Sequence, residues 1–242
     1  MVSSVKHRGC FHSITTGSGS EKNPLLDLWR PGGDRGGMDL TSMIAAERRE
    51  FADLLDGLTA QQWEAPSLCA GWRVRDVAAH MSMGFRYSLP QVLAHFVRAR
   101  GSLHRMTDRL ARHDAAAAST GQLAGWLRDN ARHPWTPPVG GLVSALGHDV
   151  VHGLDITVAL GLDRQVPEDR LRVLLDGVTH KGARFFGADL TGLQLRADDL
   201  DWSFGTGTPL TGPAQDLLLF AFGRRLPEGR LRGAVPRAAA AG

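Results

Sequence analysis

Between residues 38 and 161 the apolar positions recur with the spacing of a helix face, in blocks separated by turn chemistry. In "MDLTSMIAAERREFADLLDGL", Ile44, Phe51, Leu54, Leu55 and Leu58 keep a period of about 3.6, and Thr41 or Ser42 stands where an N-cap belongs. Thr59 and Gln62 have the spacing of a capping box, which predicts a short helical turn in "TAQQWEA" ending before Pro66. From Val74, the positions Val77, Ala78, Met81 and Phe85 predict a second amphipathic helix, with His80 about 60° round the helix from Val77 at the edge of the stripe. A third helix is predicted over roughly 89–113, with Leu93, Phe96, Val97, Leu103, Met106 and Leu110 as its core. After "DAAAASTG", a shorter helix in "QLAGWLRDNARH" stops at "PWTPP", and one more over 140–161 is apolar almost all round, which places it centrally. Four main helices with short connections predict an up-and-down bundle.

Beyond Pro167 the period changes. "PEDRLRVLLDGVTHKGARFFG" reads as helix, closing the first domain or opening a second. "GLQLRADD" and "LDWSFG" then alternate, with Leu193, Leu195 and Ala197 on one face and Leu200, Trp202 and Phe204 on another, predicting two strands joined by a tight acidic turn. "GTGTP" from Gly205 reads as a turn, since no helix and lysine follow it as they would in a phosphate-binding loop. "TGPAQDLLLFAFGRR" predicts a helix with Pro213 at its first position and Gly223 as its stop. Residues 1–37 and the tail 234–242 lack sustained periodicity and are expected to be disordered, with Met38 a candidate true start. The expected fold is mainly α: a four-helix bundle over 38–165, then a small α+β domain over 166–233.

Composition narrows the function classes. No apolar run approaches the roughly 20 residues of a membrane span, and no secretory signal opens the chain, so a cytoplasmic protein with no membrane partner is expected. Two cysteines, Cys10 and Cys69, cannot form a disulfide framework and are expected to be reduced. The net charge of +3 is spread among interleaved acids and bases, and no basic stripe with interleaved aromatics occurs, which argues against nucleic acid as a partner.

The candidate chemistry lies in "GHDVVHGLDI". His148 and His152, four apart on a helix, present two imidazoles to one cation, and Asp155 falls about 20° from His148 on the same face, where it can orient a ligating ring. A stable site needs a third ligand; His80 is the best candidate, with Asp76 one turn earlier as its support. Three neutral imidazoles with open positions suit zinc, while nickel, cobalt or iron would also bind. The competing reading makes the three histidines ordinary core residues. His95, His104 and His113 are nine apart, hence rotated by about 180° from one to the next, and cannot share a metal. Cys69 is a candidate nucleophile without an evident basic partner, or a small buried hydrophobe; Trp63 and Trp72 are core anchors or pocket walls.

Taken together, "QQWEAPSLCAGWRVRDVAAHM", "GHDVVHGLDI" some 70 residues later, and "GLQLRADDLDWSFGTGTPLTGPAQDLLLFAFGRR" resemble the mycothiol-dependent maleylpyruvate isomerase family over about residues 38–233. The resemblance implies a DinB-like metal-binding bundle with a small α/β C-terminal domain. It places metal ligands at His80, His148 and His152, with His148 where the family typically holds glutamate. It also implies mycothiol as a thiol cosubstrate, a small electrophile as substrate, and a role for Arg224 in holding a carboxylate, for which an ion pair is the alternative. The implied activity is isomerisation or S-transfer by a monomer or homodimer; a non-catalytic metal- or ligand-binding bundle is the other class.

Overall fold

The computed structural model describes residues 39–233. The expectations for 1–37, Cys10, Met38 and 234–242 lie outside the described residues. The chain divides into two compact units, 39–164 and 165–233 within that range.

The first unit is helical: α1 (Leu40–Asp56), α2 (Ala60–Glu64), α3 (Val74–Arg86), α4 (Leu89–Arg98), α5 (Leu103–Ala117), α6 (Thr120–Asp129) and α7 (Gly141–Thr157). Asp39, rather than Thr41 or Ser42, caps α1, its carboxylate accepting from the Thr41 amide at 3.0 Å. The capping box of Thr59 and Gln62 forms as its spacing predicts, and Ser119 with Gln122 builds another at the start of α6. α3 packs against α5, α6 and α7, and α1 against α6 and α7. Phe51, Leu55, Val77, Ala78, Met81, Leu123, Leu127 and Ile156 meet in the core between them.

The single helix expected over 89–113 is two. α4 and α5 are broken at Arg100 and Gly101, both with left-handed φ (54° and 70°), and Ser102 caps the second helix through the Arg105 amide. The break turns part of the expected core outward. Met106 and Leu110 are buried, but Leu93, Val97 and Leu103 are exposed, as is Leu89. α4 is amphipathic, and its apolar stripe is split: Val92 and Phe96 pack against Ala99, Met106 and Leu110, while Leu89, Leu93 and Val97 face outward. α5 also runs on through "DAAA" to Ala117, because alanine is a strong helix former and no breaker precedes Ser119.

A buried ion pair ties α1 to α7. Arg48 Nε donates to Asp149 Oδ2 at 2.7 Å, with both side chains essentially inaccessible, and Arg48 Nη1 donates to the His133 carbonyl at 2.9 Å. Among the described residues no helix is long and apolar enough to cross a membrane.

The second unit contains α8 (Glu168–Asp176), α9 (His180–Phe185), the strands β1 (Leu193–Ala197), β2 (Ser203–Gly205) and β3 (Thr208–Gly212), α10 (Ala214–Ala221) and β4 (Arg232–Gly233). The sheet order is β2-β1-β3-β4; β1 pairs antiparallel with β2 and parallel with β3, with Leu195 opposite Phe204 and Leu210. β3 corrects the sequence reading, which assigned its start to a turn: a strand containing Pro209 and only one buried apolar side chain carries almost no alternation. Gly207 makes the return possible. Its φ is +135°, and a Cβ there would stand 2.1 Å from the Gly192 carbonyl oxygen. Pro213 is the N-cap of α10 and not its first residue, while Asp199 accepts from the Ala214 amide at 2.8 Å.

Two stability predictions follow from these contacts. Replacing Arg48 by methionine strands the Asp149 carboxylate in the core and should cost about 3–5 kcal/mol in urea unfolding. Gly207→Ala should cost at least the about 1–3 kcal/mol of a strained backbone, read as an earlier loss of the second unit in thermal unfolding.

Candidate metal centre

α7 is apolar on nearly every side, and its polar exceptions are grouped. His148 and His152 stack one turn apart, and α3 packs alongside to bring His80 to them. The ring centroids lie 5.1 Å apart for His80 and His148, 4.8 Å for His80 and His152, and 4.8 Å for His148 and His152, each pair edge to face. One ring nitrogen from each histidine lies within 4.8 Å of the other two, and Nε2 of His148 is 3.3 Å from Nε2 of His80. That separation suits a shared cation: two zinc–nitrogen bonds of about 2.0–2.1 Å at a tetrahedral angle hold their nitrogens about 3.3 Å apart.

Two carboxylates stand behind the rings. Asp149 Oδ1 is 2.9 Å from His148 Nδ1, and Asp155 Oδ2 is 2.9 Å from His152 Nδ1. An ionised carboxylate can only accept, so each Nδ1 is the donor; in the neutral ring Nε2 then presents a lone pair, the tautomer a metal requires. Asp149 is in turn fixed by Arg48. Asp155 Oδ2 also accepts from Cys69 Sγ at 3.0 Å, and Cys69, His152 and Asp155 form a second buried group of metal-capable donors.

The loop 66–73 places Cys69. Its ends meet in a bridge between Pro66 and Arg73, the Ser67 amide donates to the Trp72 carbonyl at 2.9 Å, and the Leu68 amide donates to the Asp155 carbonyl at 2.9 Å. The same loop sets Trp72 against His80, with ring centroids 5.2 Å apart. On the other flank Trp135 lies edge-on to His148 at 5.4 Å, seated over Gly84, where any Cβ would strike its ring.

The residues singled out in the sequence therefore separate. His80, His148, His152 and Asp155 converge. Asp76 does not serve His80 through either oxygen, because both are taken by Arg73: Oδ2 accepts from its amide at 2.9 Å and Nε at 3.1 Å, and Oδ1 from Nη2 at 3.0 Å. That hydrogen bonding holds the Arg73 guanidinium above its ordinary value and locks the start of α3. Arg224 belongs to the second unit, where its guanidinium donates to the Phe222 carbonyl at 3.0 Å. Sequence reasoning passed over Asp149 and Arg48, and weighed Cys69 only as a nucleophile or a small buried hydrophobe. The signal for Asp149 was present, since it follows His148 directly, but Arg48 and Cys69 reach the centre from about 101 and 86 residues away along the chain and leave no local pattern.

Residues 44–156, which include all three histidines, Cys69, Asp149 and Asp155, match the family model described as mycothiol maleylpyruvate isomerase N-terminal domain. Among solved structures, the crystal structure of a mycothiol-dependent maleylpyruvate isomerase is similar, at 14% identity and a TM-score of 0.55, covering 83% of this chain and 96% of that one. A histidine-to-alanine mutant of that enzyme gives a TM-score of 0.53 at the same 14% identity and the same coverage, 83% and 96%. At this identity the likeness is one of fold. No curated protein matches the chain. Over residues 44–156, then, the chain is similar to the mycothiol maleylpyruvate isomerase N-terminal domain family.

Proposed function

We propose that the chain is a metal-dependent, mycothiol-using isomerase or S-transferase acting on a small electrophilic substrate. The observation that carries this reading is the cluster of three histidines whose ring nitrogens converge while carboxylates hold two of the three Nδ1 atoms. His80, His148 and His152 are the ligands in this reading, and zinc is the metal whose nitrogen chemistry and bond lengths suit them. A divalent cation bound there supplies a Lewis acid that lowers the pKa of a thiol and favours the nucleophilic thiolate. The chain's own contribution is positional. Asp149 and Asp155 fix the orientation of two imidazoles through their Nδ1 atoms, and the surrounding apolar core keeps bulk water from competing for the site. Three neutral ligands also leave the full charge of the cation uncompensated by the first ring of donors, which favours an anionic group, such as a thiolate, in an open position.

Protein purified from zinc-replete cells should carry about one divalent metal per chain by elemental analysis. His148→Ala and His152→Ala should each abolish stable retention, while the apoprotein melts at a lower temperature than the metal-loaded form. With metal bound, mycothiol-dependent turnover of maleylpyruvate, or conjugation of mycothiol to another small electrophile, is the expected activity. Metal-free wild-type protein from such a preparation sinks the whole reading; stoichiometric metal without any thiol-dependent turnover removes the catalytic half and leaves a metal-binding bundle.

A further inference from the structure

Each histidine-orienting carboxylate in this centre is itself held by a second donor, and the two donors differ in kind. Asp149 gives one oxygen to His148 and the other to the guanidinium of Arg48. Asp155 Oδ2 faces both His152 at 2.9 Å and the thiol of Cys69 at 3.0 Å. We propose that Cys69 is a positioning residue: its thiol fixes the Asp155 carboxylate so that His152 presents Nε2 to the metal. The proposal rests on the metal-binding reading above and goes beyond it by assigning a role to a side chain outside the ligand set.

Three observations support it. The terminal torsion of an aspartate is broad, so the plane of a buried carboxylate is set by the donors around it. The Cys69 thiol is one of those donors, on the same oxygen that faces His152. The site is also sealed: Cys69 is 1% exposed and Asp155 is fully buried, so solvent has no ready access to replace the thiol. Finally, the loop that carries Cys69 is fastened to the residue it serves, since the Leu68 amide donates to the backbone carbonyl of Asp155 at 2.9 Å while the thiol meets the side chain. Main chain and side chain of one residue are gripped by consecutive positions of one loop. Sγ also lies 3.7 Å from His152 Nδ1, the nitrogen that faces Asp155.

The test is cobalt(II) binding to the full chain, measured by competition with a chromophoric chelator and by the visible d–d spectrum. Wild type, Cys69→Ala, Cys69→Ser and Asp155→Asn should be compared, together with Cys69→Ala in the Asp155→Asn background. Cys69→Ala should weaken cobalt binding roughly tenfold, the lower end of what loss of an outer partner does, and alter the d–d bands. Cys69→Ser, whose hydroxyl still donates to Asp155, should recover most of the affinity and the wild-type spectrum, which a packing role alone would not require. The double variant should bind no more weakly than Asp155→Asn, because the thiol acts through that carboxylate. Circular dichroism of each apoprotein confirms that the variants compared are folded. Equal affinity and identical bands for wild type and Cys69→Ala overturn the proposal while leaving the metal-binding reading intact. A sulfur-to-cobalt charge-transfer band in wild type, lost in Cys69→Ala, overturns it by making Cys69 a ligand. Failure of wild type itself to take up cobalt overturns both.

Discussion

The packing of α3 against α7 presses three imidazoles together inside an apolar bundle, and much of the polar architecture around them answers that one constraint. A buried polar atom without a partner costs about 1–3 kcal/mol, and a buried charge without one costs more. Placing Asp149 and Asp155 behind His148 and His152 satisfies the rings but moves the difficulty outward, because the carboxylates are now as buried as the histidines. They are met in turn by Arg48 and Cys69, and Arg48 Nη1 donates to the backbone carbonyl of His133. Only at that third layer does the network reach loops. The depth of the shells follows from the depth of the site.

This layering explains which parts of the centre could be read from the chain. His148, His152 and Asp155 sit on one face of one helix, so spacing alone places them together. His80 was reachable because its helix has a clear stripe with the histidine at its edge. Asp76 looked equally well placed, one turn before His80, yet Arg73 competes for it through both its guanidinium and its main chain, and a partner three residues away that also closes a helix N-terminus wins. Cys69 looked like a small hydrophobe because its partner is an aspartate distant in the chain, and such pairing depends on tertiary packing rather than on any period. Sequence reasoning gave Arg48 no role. In the fold it is fully buried, because a helix touching two neighbours has two inner faces and a simple stripe describes one.

The same limitation accounts for the fold-level differences. Periodicity reports which face of a helix is apolar, and says nothing of what covers it; Leu89, Leu93 and Val97 keep helical spacing on α4 and are exposed. The break between α4 and α5 rests on Arg100 and Gly101 adopting left-handed backbone, a conformation that glycine makes accessible but arginine gives no sign of. β3 eluded the period of two because it is secured by register with β1, residue by residue from Leu193 and Thr208 to Ala197 and Gly212, rather than by its own side chains.

His148 and Asp149 are best understood as one unit. The resemblance places glutamate at position 148, and a carboxylate there would stand beside the carboxylate of Asp149 in a buried setting, with like charges opposing one another at short range. An imidazole reverses that relation. Its Nδ1 becomes the donor that Asp149 Oδ1 accepts from, at 2.9 Å, while Arg48 takes the other oxygen and supplies the opposing charge. The guanidinium arrives from α1 and His80 from α3, the two long helices that flank α7, so the central helix draws an ion-pair partner from one neighbour and a third imidazole from the other. A different residue at position 148 would therefore change the electrostatics of three helices at once, with Arg48 and Asp149 the charged pair beside it.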